Sequence, residues 1–340
     1  MPRPHASFVP GGGEVAMTGT TLEVQVERVV DGDTVRVFLP GAERGESVRI
    51  LSLDTEEVSA GTKPVTELGR RASERAKELM EPGDTIRLIL PGNDPLETAL
   101  QRYRGNFGRL LCYVELADGT DFQEVMIREG FSPYFQKYGY AHFAGRHAAY
   151  VAAERAAQSG KLGIWDQIAN NGSEMRNYAA LTVWWDLRAR IIEGYREIKR
   201  RMPEANLFNS RLDHAKLVEI AKAGGETTVF MELRDFSPTN DGDHIIFRTG
   251  SRAQPFSVFV PEANMGEGQE VMNLLLTRYV SESEMRPARS YAYVTGSLKL
   301  FPPETGDPEI TVTRVDQVTD WPSASIERGI STLTGPVADA

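Results

Sequence analysis

The order of the short apolar runs constrains this chain more than any other feature. Residues 22–30, 34–39 and 47–53 alternate apolar and polar side chains as strands do, and Asp31-Gly32-Asp33 turns the first run into the second. Residues 66–80 then carry Leu68, Ala72, Ala76 and Leu79 near helical spacing, with Thr66 as a cap. Two further strands follow at 85–90 and 110–116, separated by a polar loop at 92–106 that holds Arg102 and Arg104, which are read as solvated. Helices are predicted at about 121–129 and 144–157, and the pattern closes near Ile164-Trp165. Three strands, a helix and two strands predict a five-stranded OB-type barrel with a helical flank over 22–165.

Past this point the pattern changes and then returns. Leu181, Trp184, Leu187, Ile191, Tyr195, Ile198 and Met202 recur every three or four residues, which predicts one long helix over 176–202, ended by Pro203. A shorter helix over 212–223 is closed by Gly224-Gly225. Residues 166–224 therefore form a helical connector. Strands at 227–233, 244–249 and 256–260, a helix at 267–279, and strands at 291–300 and 309–315 repeat the first order. A second OB-like barrel over 225–321 follows, so the fold class is α+β, mainly β with helices. The Gly-rich stretch 1–21 reads as a disordered leader, and 322–340 as a flexible tail.

Composition narrows the function. The chain has 340 residues, 41% of them apolar, and a formal net charge of −10. Such a balance excludes a broad basic field for nonspecific nucleic-acid binding, so any such role must rest on a local site. The imbalance is largest over 225–321, where 8 Lys+Arg face 15 Asp+Glu, and this region is expected to bind substrate through a local patch or a protein partner. No run approaches the roughly 18–20 apolar residues of a membrane span, and the N-terminal stretch lacks a signal-peptide core, so a cytoplasmic location is expected. The single cysteine, Cys112, excludes an intramolecular disulfide and a cysteine-based zinc site. It sits in an apolar run and reads as a buried, inert thiol.

Chemistry gathers in two stretches and one distant residue. Asp31 and Asp33, two apart in an extended segment, point to one face. Taken alone they read as a solvated Asp-Gly turn sooner than as a site. In Arg49-Ile50-Leu51-Ser52-Leu53-Asp54-Thr55-Glu56-Glu57, the carboxylates of Asp54 and Glu57 lie just past a strand and can converge on an ion with the Thr55 carbonyl. Oxygen-only ligation favours calcium or magnesium over zinc. Arg49 either pairs bidentately with a phosphate or forms a salt bridge to these same carboxylates. Arg109 follows in Asn106-Phe107-Gly108-Arg109.

These residues in this order resemble the staphylococcal nuclease, or thermonuclease, family. The resemblance runs from Val29-Val30-Asp31-Gly32-Asp33-Thr34-Val35 through Arg49 to Glu57, Gly69 and Phe107-Gly108-Arg109. It continues to Ile127-Arg128-Glu129-Gly130 and Leu162-Gly163-Ile164-Trp165. It implies a calcium-dependent endonuclease that cuts DNA and/or RNA, single strands preferentially, and leaves 3′-phosphate ends. Asp33, Asp54 and the Thr55 carbonyl would hold one Ca2+ ion, with Asp31 beside them. Glu57 would orient or deprotonate the attacking water, Arg49 and Arg109 would hold the phosphate, and Tyr138 and Tyr134 would meet the nucleotide.

Two departures stand out. Glu56 occupies a position where the family usually has proline, and is expected to add charge beside the site. Phe107 replaces a common tyrosine. Asp241-Gly242-Asp243 repeats the letters of the first motif without the arginine and carboxylates that follow it, and reads as a hairpin turn. The alternative function is a non-catalytic nucleic-acid- or protein-binding protein on a nuclease-like scaffold.

Overall fold

The computed structural model of the chain describes residues 18–59, 65–166, 176–283, 286–322 and 326. The expected leader and tail fall almost wholly outside these residues. Strands β1 (Thr20–Asp31), β2 (Thr34–Phe38), β3 (Glu46–Ile50), β4 (Thr85–Leu90) and β5 (Leu110–Glu115) close into a barrel in the order β1-β2-β3-β5-β4. All pairs are antiparallel except β3 with β5, which runs parallel from Val48 opposite Leu110. Alternation drives closure: Leu22, Val24 and Val26 face inward while Glu23 and Gln25 are exposed. A register shift beyond Val26 resets the phase and turns Val29 inward.

Helix α1 (Glu67–Leu79) links β3 to β4, as the OB order requires, and buries Leu68, Ala72 and Ala76. Thr66 caps it by accepting from the Gly69 amide at 3.1 Å. The stretch read as a polar loop contains a second helix, α2 (Leu96–Arg102). Its arginines are not solvated: Arg102 pairs with Asp94 and Asp213, and Arg104 with Glu46 and the Gly108 carbonyl. Spacing gave no sign of this short helix because it buries only Ala99. Helices α3 (Phe122–Arg128) and α4 (Ala144–Gly160) complete the flank. Cys112 is fully buried, and burial pushes its thiol up, away from reactivity.

Beyond the barrel come α5 (Tyr178–Arg201), β6 (Leu207–Asn209) and α6 (His214–Ala223). Then follow β7 (Glu226–Glu232), β8 (Asp235–Pro238), β9 (Ile245–Gly250), β10 (Pro255–Val260), α7 (Gly266–Leu274), β11 (Tyr291–Phe301), β12 (Asp307–Thr311) and β13 (Val318–Thr319). The second sheet runs β6-β7-β11-β12-β10-β9-β8, with β13 on β11. It repeats the OB arrangement, including a parallel pair between its third and fifth long strands, β10 and β12. It is not the closed barrel expected from the pattern. Closure needs β7 to pair with β9, and no ladder joins them among the described residues. The reason lies in two strands that the hydrophobic pattern did not reveal. β8 takes the outer edge of β9, and β6 takes the outer edge of β7. Asp241-Gly242-Asp243 lies in the turn between β8 and β9, as expected.

Helix α5 is the strut between the two sheets. Its first half packs Tyr178, Leu181 and Trp185 against Leu68 and Ile164 of the barrel side. Its second half packs Ile192 and Tyr195 against Phe230, Tyr291 and Tyr293 of the second sheet. Tyr195 stacks on Phe230 with ring centres 4.6 Å apart. Between these halves lies Arg188, buried at 2% exposure. It donates to the Lys137 carbonyl at 2.9 Å, to Glu232 at 2.7 Å and to the Tyr291 hydroxyl at 3.3 Å. Burial alone would raise the Glu232 carboxyl, but Arg188 and then Arg234 outweigh it and hold the group below its ordinary value. No helix among the described residues is long and apolar enough to cross a membrane. Arg188→Ala removes the hydrogen-bonded partner of the largely buried Glu232 carboxylate, so it should lower stability by about 3–5 kcal/mol. Urea or thermal unfolding of the full chain measures this.

Candidate active site

The turn after β1 and the loop after β3 bring the carboxylates to one mouth of the barrel. At the first, the Asp33 amide donates to Asp31 at 3.0 Å. Gly32 passes so close to Thr55 that a Cβ there would lie 2.7 Å from the Thr55 methyl. At the second, the strand expected to reach residue 53 stops at Ile50, and Ser52 turns the chain with φ of 65°. The Ser52 carbonyl accepts from the Phe135 amide at 2.9 Å, and Ser132 Oγ accepts from the Asp54 amide at 2.9 Å. So pinned, Thr55 donates through its amide and hydroxyl to Asp33 Oδ2 at 3.0 and 3.3 Å.

Arg49 spans the two loops. Nη1 donates to Asp33, and Nη2 to Asp54 at 2.9 Å and to the Leu53 carbonyl at 3.1 Å. Burial opposes its charge, but Asp33, Asp54 and Asp31 outweigh burial and keep it protonated. For Asp31, burial and then the charge of Asp33 push the carboxyl up to about 7. Arg109 donates weakly to Thr34 Oγ1 at 3.4 Å and makes no ion pair with a described carboxylate. Burial, then Arg49, lowers its affinity for the proton. Glu57 is half-buried beyond Thr55. Its carbonyl faces Gly69, where a Cβ would lie 2.2 Å away, so only glycine lets α1 pack on this loop.

A cavity of about 420 Å3 opens here, within the range for a small ligand. Asp31, Arg49, Asp54, Glu57, Arg109 and Tyr138 all line it. Asp33 and Thr55 are buried behind them, joined to the lining through Arg49. Tyr134 is a correction: it is 1% exposed, and its hydroxyl is taken by the Ala141 amide and His147. It packs in the barrel core and reaches no substrate cavity. Glu56 is another. It does not crowd the cavity but is buried beneath α5, accepting from the Tyr178 hydroxyl.

Three lining residues were not expected. Lys137 stands beside Tyr138, and Arg211 comes from the segment between β6 and α6. Arg176 comes from just before α5, donates to Asp54 Oδ2 and lies over Tyr178 and Trp185, 5.6 and 5.2 Å from their ring centres. No local motif marks Arg176. Glu56, an extra carboxylate in the same loop, is buried and hinted instead at Tyr178, which donates to it.

Two carboxylates that share one guanidinium define a place for positive charge. Both offer only oxygen, the donor type that a hard divalent cation takes. No group of three His, Cys, Asp or Glu side chains suited to a metal occurs among the described residues.

Comparison with known proteins points to a family for the barrel region. Residues 47–167 match the family described as staphylococcal nuclease homologue. The chain is 32% identical over 154 residues to Endonuclease YncB of Bacillus subtilis, covering 44% of this chain and 66% of that protein. It is 33% identical over 146 residues to the SPbeta prophage-derived endonuclease YokF of the same organism, covering 43% and 45%. It is 27% identical over 168 residues to Thermonuclease of Staphylococcus intermedius, covering 47% and 88%. The chain thus carries a staphylococcal nuclease-like domain, while it spans under two thirds of the length of the first two relatives. Gly69→Ala should displace the Glu57 loop from α1. A thermal midpoint several degrees lower, together with loss of ligand binding at this mouth, is the expected outcome.

Proposed function

We propose that the chain is a metal-dependent endonuclease acting on DNA and/or RNA. The observation that carries this reading is the convergence of Arg49, Asp54, Glu57 and Arg109 on one cavity, with Asp33 and Thr55 directly behind. A phosphodiester is an anion that gains charge as water attacks. Arg49 and Arg109 supply two guanidiniums at the same wall. Arg49 already holds two carboxylates with its fork and can grip two phosphate oxygens in the same way. Held in place before reaction, such groups need no reorganisation as charge develops.

Glu57 sits where a carboxylate can orient water and accept its proton. Asp33, Asp54 and the Thr55 carbonyl are the residues to hold a calcium ion, and Asp31 stands beside them. A bound divalent cation would add Lewis-acid stabilisation of the phosphate charge. Tyr138 lines the cavity and is 42% exposed, so it is free to meet a nucleotide. As the resemblance to the thermonuclease family implies, the products would end in 3′-phosphates.

The test is cleavage of a labelled single-stranded oligonucleotide with calcium, magnesium or manganese, followed by end-group analysis. EDTA should abolish cutting. Arg49→Ala should slow it by about 10²–10³-fold, and Glu57→Gln by about 10²–10⁴-fold. Undiminished rates in both variants would sink the assignment. Binding without cutting under every metal would instead favour a non-catalytic scaffold.

A further inference from the structure

Three arginines from three parts of the chain gather around one loop, and none pairs with a described carboxylate. Arg109 belongs to the barrel, Arg211 follows β6, and Arg252 lies in the turn between β9 and β10. Arg211 Nη2 donates to the Arg104 carbonyl at 2.7 Å, and the Arg252 amide donates to the Asn106 carbonyl at 3.3 Å. The guanidinium carbons of Arg252 and Arg109 stand 5.7 and 5.9 Å from the ring centre of Phe107, which is 68% exposed. Nearby arginines are neutralised: Arg102 by Asp94 and Asp213, Arg104 by Glu46, Arg234 by Asp235. In a chain with 48 acidic and 38 basic residues, carboxylates to pair the other three are plentiful. Like charges gathered without them repel, and an anion relieves that repulsion.

The space beside Arg109 and Arg211 extends beyond a single phosphate. Arg211 lines both the 420 Å3 cavity and a second of about 140 Å3, and the two also share Leu51, Leu111, Tyr138 and His142. The two therefore adjoin, and the second is walled by Tyr195, Phe230 and Tyr291. We propose that Arg211 and Arg252, from outside the nuclease-like domain, hold the phosphates of a single-stranded nucleic acid flanking the one at Arg49 and Arg109. This rests on the reading of that site as a phosphodiester site. The inner cavity, about 140 Å3, is smaller than an ordinary small-ligand pocket and has no room for a duplex. The second sheet, acidic overall, thus enters substrate binding through one local cation rather than through a basic face.

The test uses the full chain and a fluorescein-labelled 12-nucleotide single-stranded DNA in EDTA, with anisotropy read from 50 to 200 mM salt. Arg211→Gln/Arg252→Gln should weaken binding at least about tenfold. It should also reduce the slope of log K against log salt by about 1.4, or roughly 0.7 for each phosphate no longer held. Arg286→Gln/Arg314→Gln removes equal charge from exposed ion pairs and should keep the wild-type slope. A wild-type slope in the Arg211/Arg252 variant, or tighter binding of a 12-base-pair duplex, overturns the inference. A chain that cuts DNA while the variant binds normally overturns this inference alone. One that binds through these arginines but never cuts overturns the nuclease reading alone, and no binding by the wild-type chain overturns both.

Discussion

The mutual placement of the barrel, the long helix and the second sheet depends on one buried cation. Arg188 bonds a backbone carbonyl beside Tyr138, a carboxylate on β7 and a hydroxyl on β11. It also lies 4.8 Å over the ring of Tyr291 and 5.3 Å over that of Trp184. A charge in such a place is costly unless each neighbour is correct, so it tolerates one docking and penalises others. Apolar stacking of Tyr195 on Phe230 supplies attraction but much less direction. Attraction and direction therefore come from different residues of the same helix.

Electrostatics at the barrel mouth follow a related logic. Asp33, Asp54 and Asp31 would repel one another without a cation, and Arg49 and Arg176 share that task. Each oxygen of Asp54 is claimed by a different guanidinium. Any ion or phosphate arriving there exchanges with bonds already made instead of ordering a slack site. Arg176 links this exchange to α5, and Glu56 ties the same loop to the next helical residue, Tyr178. The loop that carries Asp54 and Glu57 is thus gripped from the connector side as well as from Ser132 and Phe135.

Much of this was legible in the sequence, for local reasons. Barrel strands declare themselves because one face is wet and one dry, and period two records that difference. Asp31, Arg49, Asp54, Glu57 and Arg109 were legible because short loops fix their spacing. What stayed hidden depends on neighbours distant in sequence. Helix α2 buries too little to show a period. β6 and β8 have three and four residues, too few for alternation to register, yet they decide that the second sheet stays open. Tyr134 and Tyr138 look alike four residues apart. Only the packing of α4 and α5 around them sends one into the core and leaves the other at the cleft. Arg176 and Arg211 belong to segments whose letters carry no motif.

The open second sheet has a consequence for how the molecule behaves in company. A sheet that does not close presents edges, and edges recruit other strands. Here one edge ends in β8, four residues long and terminated by Pro238, which has no amide proton to offer. The other ends in β6, three residues held against α5 by Leu207. Neither is a long flat template. The architecture that failed to become a barrel thus offers a further strand little backbone to pair with at either edge.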